Sequence, residues 1–321
     1  MTYGILGLGS IGSRHAINLK FLDRDVIAFD PSQGRMDWAH SQGIVCTPSR
    51  DSVLENSQAI VVCSPNEFHL EDLKDAIAAN CHIFAEKPLA HVAEGVDNLL
   101  QEASEKGLSI FVGLNLRFHP AVMAAKALMD QSAIGQPHWA ILQSSHYLPD
   151  WRPDHDYRQG YTANPISGGV LFDIIHEFDL ANHLLGPAKT LTAAARNTGA
   201  MEISSEDCAD IILCHDSGVH SNLHLDYVSR PTRRFCELGG SEGNLRIDIV
   251  KREVTLTNCE GAVMKNQVFD STTSTDDYVA EMSAFIECVE ENASPPCDGY
   301  AALEILKQVI SARQLCGLPA A

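Results

Sequence analysis

Basic charge is scarce in this chain of 321 residues. Lys and Arg number 23 against 42 Asp and Glu, a net charge of -19. Nucleic acids and anionic membrane surfaces need basic patches, so both are poor partners. No apolar run is long enough to span a bilayer, and no basic-then-apolar leader precedes the first strand. The ten cysteines are scattered singly, with no Cys-x-x-Cys pair. They read as reduced, mostly buried thiols of a cytoplasmic protein. Internal repeats and low-complexity segments are also missing. What is left is a soluble globular chain, 45% hydrophobic and 20% charged, long enough for two domains.

The first structured stretch carries the clearest signal. Tyr3-Gly4-Ile5-Leu6 is too short an apolar run for a helix. Gly7-Leu8-Gly9-Ser10-Ile11-Gly12 follows at once, and helical spacing resumes at Ala16. Strand, glycine turn and helix together give a G-x-G-x-x-G match its meaning. Gly7 permits the tight turn, Gly9 admits a pyrophosphate to bare backbone, and Gly12 lets the helix pack on the strand. The phosphates would rest on the amides of Ser10, Ile11 and Gly12 at the helix start. Val26-Ile27-Ala28-Phe29 ends in Asp30, about 20 residues on, where such a unit holds the adenosine ribose. An acid there favours NAD over NADP, although Arg35 is near in sequence.

Alternation of apolar strands and helices continues. Strands are expected at 59–63, 82–85 and 109–112, with helices over 67–80 and 92–106. This predicts a doubly wound parallel sheet. Asp30, Ser64, Asn66, Glu86, Lys87 and Asn115 all fall just past strand ends, where the ligand crevice of such a sheet lies. Near Phe118 the pattern changes. A linking helix (119–130) and a strand (139–146) lead into a long loop over 147–167, with Tyr147, Trp151, Tyr157 and Tyr161. Gly168-Gly169 then opens a helix running to about residue 185. Strands follow at 208–215 and 219–227 around Asp216-Ser217-Gly218, then at 234–238, 244–248 and 253–257, with closing helices over 277–291 and 301–316. Val219, Leu223, Leu225 and Tyr227 alternate with His220, Asn222, His224 and Asp226, a polar face that is either an assembly surface or simply wet. The expected organisation is a Rossmann domain over 1–118 and an α+β domain on a largely antiparallel sheet over 119–321.

Two places could carry proton chemistry. Lys87, beside Glu86 and before Pro88, could polarise a substrate oxygen or move a proton. His176 could take an alcohol proton as hydride leaves, with Asp173, at i and i+3 on the same helix face, orienting it. Asp173, His176, Asp179 and His183 also form a stripe of metal-ligand types. Metal is the weaker reading, since Leu180 stands where H-E-x-x-H needs its second histidine. Arg152 or Arg158 could hold an anionic group of the substrate, a phosphate or carboxylate, by a bidentate contact.

The chain resembles the Gfo/Idh/MocA oxidoreductases along essentially its whole length. The motifs are the glycine turn, Ser64-Pro65-Asn66 with His69, Glu86-Lys87-Pro88, Asn115-x-Arg117-Phe118-His119-Pro120, and Gly168-Gly169…Asp173…His176. The resemblance implies a Rossmann domain plus a sheet domain whose open face builds dimers or tetramers. It implies NAD(P)-linked, reversible oxidation of a secondary alcohol on a sugar, inositol or nucleotide sugar. Lys87 then looks like the catalytic lysine and His176 like the acid/base histidine. Ser64, Pro65, Asn66, His69, Glu86, Lys87 and Asn115 look like cofactor contacts, Trp151-Arg152 like a pair that reaches the cofactor, and Lys87, Arg117, Arg158, Asp173 and His176 like substrate contacts. Asp173 departs from the pattern: many members place the acid four residues before the histidine, where Phe172 stands here. The run from Tyr147 to Arg158 is similar to a subgroup associated with surface-polysaccharide sugars. Two other classes were weighed: a non-catalytic NAD-binding sensor, which intact Lys87 and His176 argue against, and a methyltransferase, which the Glu86-Lys87-Pro88 site argues against.

Overall fold

A computed structural model describes residues 1–151, 156–270 and 275–319. The chain divides into two units. The first comprises Met1–Leu114 and Thr275–Leu306, the second Asn115–Ser274 and Lys307–Ala321.

In the first unit the order is β1 (Thr2–Leu6), α1 (Ser10–Phe21), β2 (Asp25–Phe29), α2 (Gln33–Ser41), β3 (Val45–Cys46), α3 (Arg50–Glu55), β4 (Ala59–Val62), α4 (His69–Ala78), β5 (His82–Glu86), α5 (Val96–Glu105) and β6 (Ile110–Gly113). All six strands run parallel in the order β3-β2-β1-β4-β5-β6. The order reverses between β1 and β4, so the crevice of this doubly wound sheet opens past Leu6 and Val62. β4, Ala-Ile-Val-Val, is buried along its whole length, as a doubly covered parallel strand requires.

The second unit contains α6 (Pro120–Asp130), β7 (Pro137–Tyr147), α7 (Leu148–Trp151), α8 (Gly169–Asp173), α9 (His176–Leu185), β8 (Ala188–Arg196), β9 (Cys208–His215), β10 (His220–Asp226), β11 (Val228–Gly240), β12 (Gly243–Asp248), β13 (Glu253–Asn258) and β14 (Val263–Val268). Its eight strands lie in the order β14-β13-β12-β11-β7-β10-β9-β8, and only β7 with β10 is parallel. α10 (Thr275–Glu290) belongs to the first unit, and the boundary between the units falls within α11 (Gly299–Leu315). α10 returns because of Phe285. Its ring packs 6.1 Å from Tyr3, 5.5 Å from Phe84 and 5.9 Å from Phe111, centroid to centroid. Aromatic contacts of this kind add about 0.5–1.5 kcal/mol each beyond their buried area.

Three local expectations are corrected. The helix expected from Gly169 to about residue 185 is two helices, broken at Ile174-Ile175, so Asp173 and His176 do not share one helix face. Two adjacent β-branched residues weaken the helix there, and both are buried. β8 and β14 were not anticipated, because alanine-rich and polar edge strands carry little β-propensity of their own. Pairing to β9 and β13 supplies what composition does not. The loop after β7 is more ordered than its sequence suggests, with short helical turns at Tyr157–Gln159 and Tyr161–Ala163.

Candidate active site

The glycine turn has the geometry its spacing implies. Gly7 sits at φ +93°, in the region that disfavours side chains. A Cβ on Gly12 would lie 1.9 Å from the Gly7 carbonyl oxygen, so α1 can start this close to β1 only without one. Over Gly9 the space is open, and as N-cap of α1 it makes no side-chain capping bond. The first amides of α1 are therefore presented to an anion, and these residues fit the pyrophosphate of a dinucleotide. Gly12→Ala is expected to weaken NADH binding at least about tenfold, read by fluorescence titration.

Asp30 closes the turn. It is 3% exposed and accepts from the Leu8 N–H at 2.7 Å and the Ser32 N–H at 2.8 Å. The half-exposed Arg35 approaches the same carboxylate at 3.1 Å. Past β4, Asn66 is buried, Pro65 exposed, and the Ser64 hydroxyl donates to Asp72. His69 is buried with its ring nitrogens 2.8 Å from the Pro88 carbonyl and 2.9 Å from the Ser64 carbonyl. It thus ties the two loops that follow β4 and β5, and burial lowers its pKa. Lys87 is half-buried at the end of β5, and its N–H donates to Glu86 Oε2 at 3.1 Å.

In the second unit His176 begins α9 and is half-buried. Asp173, 1% exposed, accepts from the hydroxyls of Tyr161 and Tyr227, the latter at 3.0 Å. Burial and the neighbouring Asp173 push the Tyr227 hydroxyl well above its usual pKa. His146 lies against the same group, edge-on to Tyr227 and to the exposed Trp151. Sequence reasoning missed Tyr227 and His146. Both sit in alternating strand patterns, where a core ring and a functional ring look alike. Asn115 opens a short turn (Asn115–Phe118). Arg152 lies outside the described residues.

Two arginines are engaged differently from expectation. Arg117 makes a forked pair with Asp179, its Nε 3.0 and 3.1 Å from the two carboxylate oxygens, and Asp179 is fully buried. The guanidinium neutralises a core acid, which also takes Asp179 out of the metal-ligand stripe. Arg158 is bound to Asp156 at 2.7 Å and to Glu202 at 2.8 Å on the surface, and these acids raise its pKa. Elsewhere, Cys208, Asp210 and His224 bring potential metal-ligand atoms within 4.8 Å of one another on β9 and β10. Here His224 is held between Asp210 (2.7 Å) and Asp226 (3.1 Å). The Asp226 bond, then Asp210, lift its pKa to about 9, which describes an imidazolium between carboxylates.

His119 carries a pH signature. Burial, then Arg252 and Arg234, lower its pKa to about 4. The unfolded chain binds a proton near pH 6.5 that the folded chain refuses. Stability from this residue is therefore present above pH 6.5 and lost as pH falls toward 4, up to about 3 kcal/mol. The acid limb of a urea-denaturation series should be shallower in His119→Gln.

With the geometry in place, the comparisons agree. Residues 1–114 match the "oxidoreductase family, NAD-binding Rossmann fold", and residues 122–246 the "GFO/IDH/MocA C-terminal domain". The chain is an NAD-binding oxidoreductase by its first unit. It belongs to the Gfo/Idh/MocA family, which sets aside the methyltransferase reading. Myo-inositol 2-dehydrogenase of Thermotoga maritima is 29% identical over 93% of this chain and 91% of its own. Inositol 2-dehydrogenase of Rhizobium meliloti is 28% identical over 98% of both. A levoglucosan dehydrogenase solved with NADH and levoglucosan superposes at a TM-score of 0.89, with 17% identity, over 99% of this chain and 97% of that one. Among the described residues, no helix is long and apolar enough to cross a membrane.

Proposed function

We propose that the protein is a dehydrogenase that moves a hydride between NAD and a secondary alcohol of a sugar, inositol or nucleotide sugar. The observation that carries this reading is the open glycine cradle at Gly9, in a chain that also presents Lys87 and His176. NAD supplies the hydride acceptor. The amides at the start of α1 hold its pyrophosphate, and Asp30 faces the ribose. Asp30 discriminates against a 2′-phosphate by charge; Arg35 tempers that discrimination, so NADP is the lesser partner. Asn66, Asn115 and Trp151 complete the cofactor contacts.

Lys87 donates to the substrate oxygen and stabilises it as negative charge develops. His176 accepts the hydroxyl proton, and returns it when the reaction runs backwards. Asp173, fixed by the hydroxyls of Tyr161 and Tyr227, ends the short helix just before His176. We place the protein in the cytoplasm, as a homodimer or homotetramer. The open face of the second sheet, with Ile141 and Leu191 exposed on it, is the assembly surface.

The reading is tested by a thermal-shift screen of sugars, cyclitols and nucleotide sugars with NAD present. A ligand at a hundred times its Kd stabilises the fold by about 2.7 kcal/mol. At least one polyol is expected to raise the melting temperature beyond NAD alone. A silent panel in the presence of bound NAD would argue for another substrate class.

A further inference from the structure

The second unit gathers sulfur, nitrogen and oxygen donors on one face of its sheet. On the antiparallel strands β9 and β10, Asp210 stands directly opposite His224, and Cys208 opposite Asp226. Residues two apart in a strand share a face, so these four side chains project together from one side. Cys208, Asp210 and His224 bring a thiol, a carboxylate and an imidazole within 4.8 Å of one another. Cys208 and His224 are half-buried and Asp210 is exposed, so the cluster opens to solvent. Asp210 and His224 also line a groove with Thr192, Ala194, Ile212 and Asn222, which gives an ion its way in.

Asp226 fixes the imidazole. It is 1% exposed, and its Oδ1 accepts the N–H groups of Val228 at 2.9 Å and Ser229 at 2.8 Å. Its Oδ2 accepts the Ser229 hydroxyl at 3.0 Å and lies 3.1 Å from His224 Nε2. A carboxylate held behind one ring nitrogen turns the other outward and raises its basicity, the arrangement that backs metal-bound histidines. That other nitrogen, Nδ1, faces Asp210 Oδ1 at 2.7 Å. A tetrahedral zinc ion, with bonds of about 2.0–2.3 Å, sets its donors about 3.3–3.7 Å apart. The cluster therefore needs only side-chain adjustment: the Asp210 carboxylate steps back from Nδ1 and the thiol moves in. Arg196, the cross-strand neighbour of Cys208 on β8, bonds the thiol, and its exposed side chain must swing aside. On the other flank, β7 sets the uncharged Gln143 and Ser145 beside His224 and Asp226.

We propose that Cys208, Asp210 and His224 bind one zinc ion that staples β9 to β10, with water as the fourth ligand and Asp226 positioning His224. The donor set selects the metal. Thiolate and imidazole suit zinc, whereas magnesium and calcium take oxygen shells. Binding displaces the proton shared by Nδ1 and Asp210 and the proton of the thiol. The proposal does not rest on the dehydrogenase reading, since none of these four residues is given a part in hydride transfer.

The test is titration of the reduced, chelator-treated full-length protein with Co²⁺ and then Zn²⁺. Co²⁺ should bind at one equivalent with a thiolate-to-cobalt charge-transfer band, and Zn²⁺ should displace it. Mg²⁺ should not. Cys208→Ser should abolish the band. Asp226→Asn keeps the shape but can turn an amide NH₂ toward Nε2, and should weaken Zn²⁺ at least about tenfold. Alkylation read by mass spectrometry locates the ion without mutation. Zn²⁺ should slow modification of Cys208 at least about tenfold and leave the exposed Cys259 unchanged. A charge-transfer band that survives in Cys208→Ser would overturn the proposal. So would protection of Cys259 alone, or Co²⁺ bound with no such band. Wild-type zinc affinity in Asp226→Asn would overturn the positioning role of that residue. Should Cys208→Ser not fold, the alkylation pattern decides. Should Cys208 resist the reagent without zinc, the cobalt band decides.

Discussion

Lys87→Ala should lose about a hundred- to ten-thousandfold in kcat while its NADH affinity stays near wild type. The ammonium meets the substrate oxygen most strongly when that oxygen carries charge, in the transition state, so its removal falls on kcat more than on KM. The cofactor cradle is untouched, because Gly7, Gly9, Gly12 and Asp30 lie on the first β-α-β turn. Arginine should not rescue the variant. Its planar fork cannot reproduce a compact ammonium, and it cannot shed a proton. The measurement is reduced-nicotinamide absorbance with the polyol that the thermal screen identifies, alongside NADH fluorescence titration. A folded Lys87→Ala enzyme with full turnover would remove the lysine from the chemistry and leave His176 to account for it alone.

Arg117→Leu should destabilise the second unit by about 3–5 kcal/mol, the consequence of leaving Asp179 buried without its cation. The pair is 10% and 0% exposed at its side chains, so water cannot take over the role. The double variant Arg117→Leu, Asp179→Leu should recover much of that loss, since neither charge is then stranded. Urea denaturation of the three proteins measures this. NADH affinity should change little, because the cofactor contacts of the first unit do not involve Arg117. Should Arg117→Leu keep wild-type stability and instead raise KM, the substrate role expected from the sequence would be restored.

These two residues also show where the sequence was readable. Lys87 could be placed at a strand end because its signal is local: an apolar run ending in an acid before it and a proline after it. The glycine turn is local too: Gly7 makes the tight turn and Gly12 the close approach that the spacing assigned, and the space over Gly9 is open. The parallel sheet was legible because buried strands such as Ala59–Val62 are apolar throughout. The ion pair of Arg117 was not foreseen because its partner is 62 residues away, and nothing in the spacing announces Asp179. The partners of Asp173 were equally hidden. Its tyrosines lie 12 and 54 residues distant, one in a short helical turn of the long loop and one at the bend between β10 and β11. The hydrogen-bonded His15 and Glu86 are separated by 71 residues, and α10 returns from beyond the whole second sheet. Local pattern therefore revealed the glycine turn and the strand ends that present the candidate residues, while the supporting contacts came from long-range packing that periodicity does not encode.

The most direct test is to offer the protein NAD with a panel of sugars, cyclitols and nucleotide sugars, and to follow the reduced-nicotinamide band. The account requires at least one polyol to reduce NAD in the wild type, and that signal to collapse in both Lys87→Ala and His176→Ala. A protein that binds NADH tightly yet turns over no polyol, in either direction, would contradict it and revive the sensor.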